Sequence, residues 1–195
     1  MEAITPFDLV SFVVLLGMFI LGYMQGLTRR VFGLVAILFS LVVAMELRQS
    51  LGSYLAEQWT TAPPEYSAMV AFGAIFLAVA VALTIGIQVT YRPAPLFPRY
   101  PVLDEILGGL IGLVEGFVLL MILVLVMDPY YATAAGDTAA AGEFAPLRSV
   151  WDLVDGSLTA TIMRDSVIPT VLAAISFLVP EDIRKTFASI APRLA

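Results

Sequence analysis

Four long apolar blocks, almost free of charged residues, constrain the fold more than any other feature of the sequence. They run from Phe7 to Met24, Val31 to Met45, Ala68 to Ile87 and Ile106 to Met127. An α-helix needs about 20 apolar residues to cross roughly 30 Å of hydrocarbon. The second block is short, but apolar residues on one helical face extend it towards Trp59. The sequence therefore predicts an all-α membrane protein with four transmembrane helices.

The composition narrows the classes of function. Apolar residues make up 60% of the chain and charged residues 13%, against about 25% charged in soluble domains. The chain has no Cys and no His, which excludes thiolate and imidazole metal ligands and the Ser-His and Cys-His nucleophile pairs. A net charge of -6 with a single lysine, Lys185, argues against nucleic acid. We expect no enzymatic activity, no metal and no cofactor, and the lipid bilayer as the main partner.

Arginines in the short loops predict the orientation. The first and third loops carry four of them, Arg29, Arg30, Arg92 and Arg99, whereas the second loop has only Arg48. Positive residues are retained on the cytoplasmic side, so both termini are predicted to be extracytoplasmic in a bacterial inner membrane. Residues 1–129 would form the transmembrane domain, which Asp128 and Pro129 close. Residues 130–195 would form an extracytoplasmic tail.

The tail is predicted to contain a flexible loop followed by short amphipathic helices. Small residues from Ala132 to Gly142 indicate a mobile loop. Apolar residues then recur at helical spacing between Leu147 and Ile162. The stretch 167–179 is too short to cross a bilayer, and Pro180 opens a last helix. These helices either lie on the membrane or pack on one another.

The fourth apolar block carries the densest set of candidate site residues. Its glycines, Gly108, Gly109, Gly112 and Gly116, leave one helix face bare, which permits close packing of helices. Glu115 lies beside that face, and a carboxylate in the membrane costs about 2.5–3.5 kcal/mol. Ser40, at a matched predicted depth, is the expected partner. Glu115 could then act in a proton or cation relay, or as a neutral group that fixes helix register. Asp8 is a further intramembrane polar residue that could cap its helix.

The turn between the first two blocks is the second candidate site. Gly22 and Gly26 permit the chain to reverse, and Arg29 and Arg30 follow directly. Each arginine could contribute about 1 kcal/mol by contact with anionic lipid headgroups. Alternatively, the pair binds an anionic ligand or partner.

Together these residues resemble the colicin V production protein (CvpA-like) family. The resemblance rests on Asp8, the turn from Gly22 to Arg30, and the run Leu103-Asp104-Glu105-Ile106-Leu107-Gly108-Gly109-Leu110-Ile111-Gly112-Leu113-Val114-Glu115-Gly116. It implies four spans, a short extracytoplasmic helical tail, and a role in bacteriocin export, biofilm formation and envelope homeostasis. One departure is Glu115, since that position is often basic or neutral in the family.

Three functions remain open from the sequence. The first is a non-enzymatic membrane protein that assists toxin production or export and envelope homeostasis through helix contacts, including self-association or contacts with other membrane proteins. The second is a structural accessory subunit of a larger membrane complex. The third is a small channel or transporter that uses Glu115.

Overall fold

Four long helices form the body of the structure, a computed structural model that describes residues 4–90, 97, 99–132 and 142–174. They are α1 (Pro6–Gln25), α2 (Leu27–Gln58), α3 (Pro64–Thr90) and α4 (Pro101–Tyr131). Each contains a window of 18 residues that is apolar enough to cross a membrane. The prediction of an all-α protein with four spans is thus confirmed.

Local sequence signals set the helix ends. At the start of α1, Thr5 and Asp8 form a reciprocal capping box and Pro6 occupies the first turn. A single residue, Gly26, separates α1 from α2, and its φ of 77° lies in the region that favours glycine. A one-residue turn therefore joins the first two helices.

Helix α4 is the central helix of the bundle. In its most apolar window 56% of the residues are buried, against 17% in α1 and α3. It packs along α1 and contacts α2, and α2 in turn packs along α3. The core contains Leu41 and Met45 of α2, Phe72 of α3, and Met121 and Leu125 of α4.

The prediction that Asp128 and Pro129 end the fourth span is wrong. Helix α4 continues through both residues to Tyr131, and the backbone N–H of Ala132 donates to the Asp128 carbonyl at 3.0 Å. Proline cannot donate a helical hydrogen bond, but the flanking residues Asp128 and Tyr130 are completely buried. Their packing with the tail offsets the lost bond. Helix α4 also begins at Pro101, earlier than Ile106.

The tail contains α5 (Ala145–Asp155), α6 (Leu158–Ile162), a π-helical turn (Met163–Val167) and α7 (Ile168–Ala174). The predicted continuous helical pattern from Leu147 to Ile162 is interrupted, because Ser157 caps a new helix by accepting the Ala160 N–H at 3.0 Å. Val154, Ala160 and Met163 join the core of the long helices. The tail therefore packs on the bundle.

Other predictions for the tail lie outside the described residues. These are most of the loop from Ala132 to Gly142 and the helix that Pro180 opens. The division into a domain at 1–129 and a tail at 130–195 stays a prediction.

Candidate functional site

Glycines allow the backbones of α1 and α4 to contact each other directly. A Cβ placed on Gly108 would lie 2.5 Å from the carbonyl oxygen of Gly22, and one placed on Gly112 would lie 3.2 Å from the Gly22 Cα. Gly112 also faces the backbone of Met18. No side chain fits in this space, so α1 and α4 approach each other through their main chains.

Gly109 and Gly116 extend the same contact on either side. The ring of Phe19 covers Gly109, at 2.8 Å from a Cβ placed there, and the side chain of Leu15 lies 3.0 Å from one placed on Gly116. The four predicted glycines of α4 thus face α1 over about two turns. We call this contact the glycine seam.

Asp104 caps the start of α2, a role that sequence reasoning did not assign. The N-cap residue Gly26 has no side chain to bond the free N–H groups of that helix, and Asp104 Oδ2 accepts the Leu27 N–H at 3.3 Å. Asp104 is buried, and its negative charge lies at the positive end of the helix dipole. The available sequence signal was a glycine N-cap followed by no acidic residue in the first turn of α2.

Glu115 forms a buried ion pair with Arg30. Only 7% of the Arg30 side chain and 9% of the Glu115 side chain are exposed. The predicted partner Ser40 is wrong, since its hydroxyl donates to the Ala36 carbonyl of its own helix at 2.7 Å. The partner is instead Arg30, which the sequence analysis assigned to the turn between the first two apolar blocks.

The error came from the register between α2 and α4. The predicted depth placed Glu115 level with Ser40. In the structure, a Cβ on Gly108 would instead lie 3.0 Å from the Gly26 Cα, and one on Gly33 would lie 3.1 Å from Glu115 Oε1. Glu115 is therefore level with Gly33, less than one helical turn beyond Arg30, and within reach of a long guanidinium side chain.

A second buried ion pair joins the far end of α4 to the tail. Asp128 accepts two hydrogen bonds from Arg164, Nε to Oδ2 and Nη2 to Oδ1, each at 3.0 Å. Arg164 also contacts Asp155 at 2.9 Å and lies over the Trp151 ring at 4.9 Å. Burial alone would lower the pKa of Arg164, but the bonds and charge of Asp128 and the charge of Asp155 outweigh it and raise the pKa.

Asp8 joins the start of α1 to the tail. Its Oδ2 accepts the Thr5 N–H at 3.0 Å, and its Oδ1 accepts both the N–H and the hydroxyl of Thr159 at 2.8 Å. Sequence reasoning proposed a cap for one helix. In the structure the Asp8 carboxylate accepts hydrogen bonds at the start of two helices, α1 and α6, because Thr159 lies in the first turn of α6.

These polar contacts can hold the helices in register, because their carboxylates are engaged by donors of neighbouring helices. Each carboxylate described above accepts hydrogen bonds from another helix, and two of the three buried acids on α4, Glu115 and Asp128, face a guanidinium. Within the described ranges, no three acidic side chains come together as a metal site would require.

Comparison with known proteins identifies the family. No curated protein and no solved structure shows significant similarity to the chain. A family model described as "Colicin V production protein" matches residues 7–148, which include all four long helices, the glycine seam and both ion-paired acids of α4. Because that match covers well over half of the 195 residues, this multi-pass membrane protein belongs to the colicin V production protein family.

Proposed function

We propose that this chain is a non-enzymatic protein of the bacterial inner membrane that assists the production or export of a colicin V-type toxin and supports envelope homeostasis. The family match over residues 7–148 carries the proposal. In this role the protein acts through contacts of its helices and tail with other membrane proteins or with copies of itself.

The pairing of buried charges supports a scaffold rather than a conduit. Arg30 compensates Glu115, and Arg164 compensates Asp128. A relay across a membrane normally needs a chain of ionisable groups, whereas these two pairs are thirteen residues apart along α4 and each links that helix to another. The arrangement therefore favours a fixed helix bundle that presents its surface to partners.

The proposed orientation places both termini outside the cytoplasm. Arg29, Arg30 and Arg99 all lie at the end of the bundle where the α1–α2 turn meets the start of α4, and positive residues favour the cytoplasmic face.

The absence of cysteine from the sequence makes this orientation easy to test. Tyr100→Cys lies at the arginine-rich end and Ser149→Cys in the tail, and both positions are exposed. In intact spheroplasts, a membrane-impermeant maleimide should label the Ser149→Cys protein and leave the Tyr100→Cys protein unlabelled until the membrane is permeabilised. The opposite pattern would reverse the orientation.

The function itself is tested by toxin export. A colicin V-secreting strain that lacks this gene should release less active toxin into the medium, and the wild-type gene should restore release. Gly108→Leu, which pushes a side chain into the glycine seam, should fail to restore it. The matched variant Gly17→Leu should succeed, because no atom lies within 4 Å of a Cβ at Gly17. Immunoblots of the membrane fraction control for protein level.

Two results would contradict the proposal. Normal toxin release from the deletion strain would remove the link to toxin export. Alternatively, the protein solubilised in mild detergent could co-purify with fixed stoichiometric partners that have no part in export. That result would favour an accessory subunit of a different membrane complex.

A further inference from the structure

A polar cavity lies among all four long helices at the end where α1 turns into α2. Its volume is about 240 Å³. The polar groups around it are Gln25 of α1, Arg29 and Arg30 of α2, Thr84 and Gln88 of α3, and Glu115 of α4. Such a group of polar side chains inside an apolar bundle calls for a physical explanation.

The charged side chains that line the cavity, Arg29, Arg30 and Glu115, have a net charge of +1. Glu115 balances Arg30, whereas Arg29 forms no ion pair with any residue that the structure describes. In addition, Arg30 is only 6% exposed, and its Nε has no hydrogen-bond acceptor among the described residues. A buried donor without an acceptor is unfavourable. One singly charged anion would balance the charge of Arg29 and could accept a hydrogen bond from the Nε–H of Arg30.

An apolar groove runs beside this cavity. It is lined by Phe32 of α2 and by Ala82, Leu83, Gly86, Ile87 and Thr90 of α3, and its volume is about 360 Å³. Gly86 leaves open space, since no atom lies within 4 Å of a Cβ placed there. Ile87 lines both the polar cavity and the groove, so the two adjoin at this side chain.

We propose that the polar cavity and the apolar groove together bind one anionic phospholipid. Its phosphodiester occupies the cavity and one of its acyl chains lies in the groove between α2 and α3. A phosphodiester carries one negative charge, which matches the net charge of the cavity. Guanidinium groups bind phosphate oxygens through charge-assisted hydrogen bonds, and the amide groups of Gln25 and Gln88 supply further donors. This inference does not depend on the proposed role in toxin export.

Native mass spectrometry of the full chain tests the proposal. The protein is released from detergent micelles supplemented with phosphatidylglycerol and phosphatidylcholine in equal parts. Both lipids contain a phosphodiester, but only phosphatidylglycerol has a net negative charge. We expect the protein to retain phosphatidylglycerol in preference to phosphatidylcholine, in the ratio of one lipid to one chain.

Matched arginine variants separate the cavity from general attraction to a charged surface. Arg29→Gln should lower the affinity for phosphatidylglycerol roughly tenfold or more, because a charge-assisted hydrogen bond is lost. Arg99→Gln removes an exposed arginine at the same end of the bundle but outside the cavity, and it should lower the affinity less than about fivefold.

Matched tryptophan variants test the groove. Ile87→Trp places a bulky ring where the groove and the cavity adjoin, and it should abolish the retained lipid. Val89→Trp lies on the same helix at a position that is 82% exposed, and it should retain the lipid. Thermal melting of each variant shows whether the protein is still folded.

Several outcomes would overturn the proposal. Equal retention of the two lipids, or equal losses in the Arg29 and Arg99 variants, would mean that surface charge alone attracts lipid. Lipid retention that survives Ile87→Trp in a folded protein would mean that the site lies elsewhere. If inorganic phosphate displaces the lipid headgroup and binds equally well without lipid, the cavity is a site for a soluble anion instead.

Discussion

Replacing Gly108 by alanine should open the glycine seam, and the structure gives the size of the effect. The new Cβ would lie 2.5 Å from the Gly22 carbonyl oxygen and 2.7 Å from the Gly26 carbonyl carbon. Both atoms belong to the main chain, so no side chain can rotate away. The helices would have to separate by roughly 0.9 Å to restore an ordinary contact of 3.4 Å.

This separation of the helices determines how much stability the Gly108→Ala variant loses. A gap of about 0.5–1 Å forfeits a quarter to a half of the dispersion energy of each contact along the seam, and overpacking of this kind costs about 1–3 kcal/mol. Alanine returns up to about 1 kcal/mol through its better helix propensity. We therefore expect Gly108→Ala to lower the free energy of unfolding by about 1–2 kcal/mol.

The measurement is reversible unfolding in mixed micelles, followed by circular dichroism and by the fluorescence of the two tryptophans, Trp59 and Trp151. Gly17→Ala is the matched control on the partner helix. Its Cβ would meet no atom within 4 Å, so this variant should be as stable as the wild type or slightly more stable. If Gly108→Ala matched Gly17→Ala in stability, the main chains of α1 and α4 would not be in contact and the seam would be refuted.

Two further predictions concern the polar contacts between helices. Glu115→Leu leaves Arg30 buried without its counter-charge, and Arg30→Met leaves Glu115 without its own, so each should lower the free energy of unfolding by about 3–5 kcal/mol. The double variant Arg30→Met/Glu115→Leu should lose much less in the same assay. Additive losses in this double-mutant cycle would contradict the pair. Asp8→Ala removes the acceptor for the Thr159 N–H and hydroxyl, so limited proteolysis should cleave faster near Gly156. An unchanged cleavage rate would mean that Asp8 does not hold the tail.

The four spans and the glycine-bearing face of α4 could be predicted from the sequence because both are local properties. A run of apolar residues predicts a span without knowledge of its neighbours. Similarly, Gly108, Gly112 and Gly116 recur every four residues and so share a face whatever packs against it. The sequence did not indicate that the face would meet α1 rather than another helix.

The polar partners could not be predicted because they depend on register between helices. Glu115 meets Arg30 because α4 is placed with Gly108 beside Gly26. An error of a few residues in the start of that helix changes the apparent depth of Glu115 by a whole turn or more. The pair between Asp128 and Arg164 was missed for a related reason, since Asp128 was interpreted as the end of the helix.

The glycine seam and the ion pair between Arg30 and Glu115 together fix the register of α4 against α1 and α2. In lipid, apolar surfaces gain little by meeting one another, so helix contacts rely on close packing and on polar bonds. The glycine seam itself resists sliding, because a shift of α4 by four residues, or about 6 Å, would replace one of its glycines by Asp104 or Leu120. Such a shift of α4 would separate Glu115 from Arg30 and Asp104 from the Leu27 N–H. Only Gly26 separates α1 from α2, so the positions of these two helices are coupled. The contacts of α4 with α2 therefore also fix the position of α4 along α1, and the glycine seam forms in a single register.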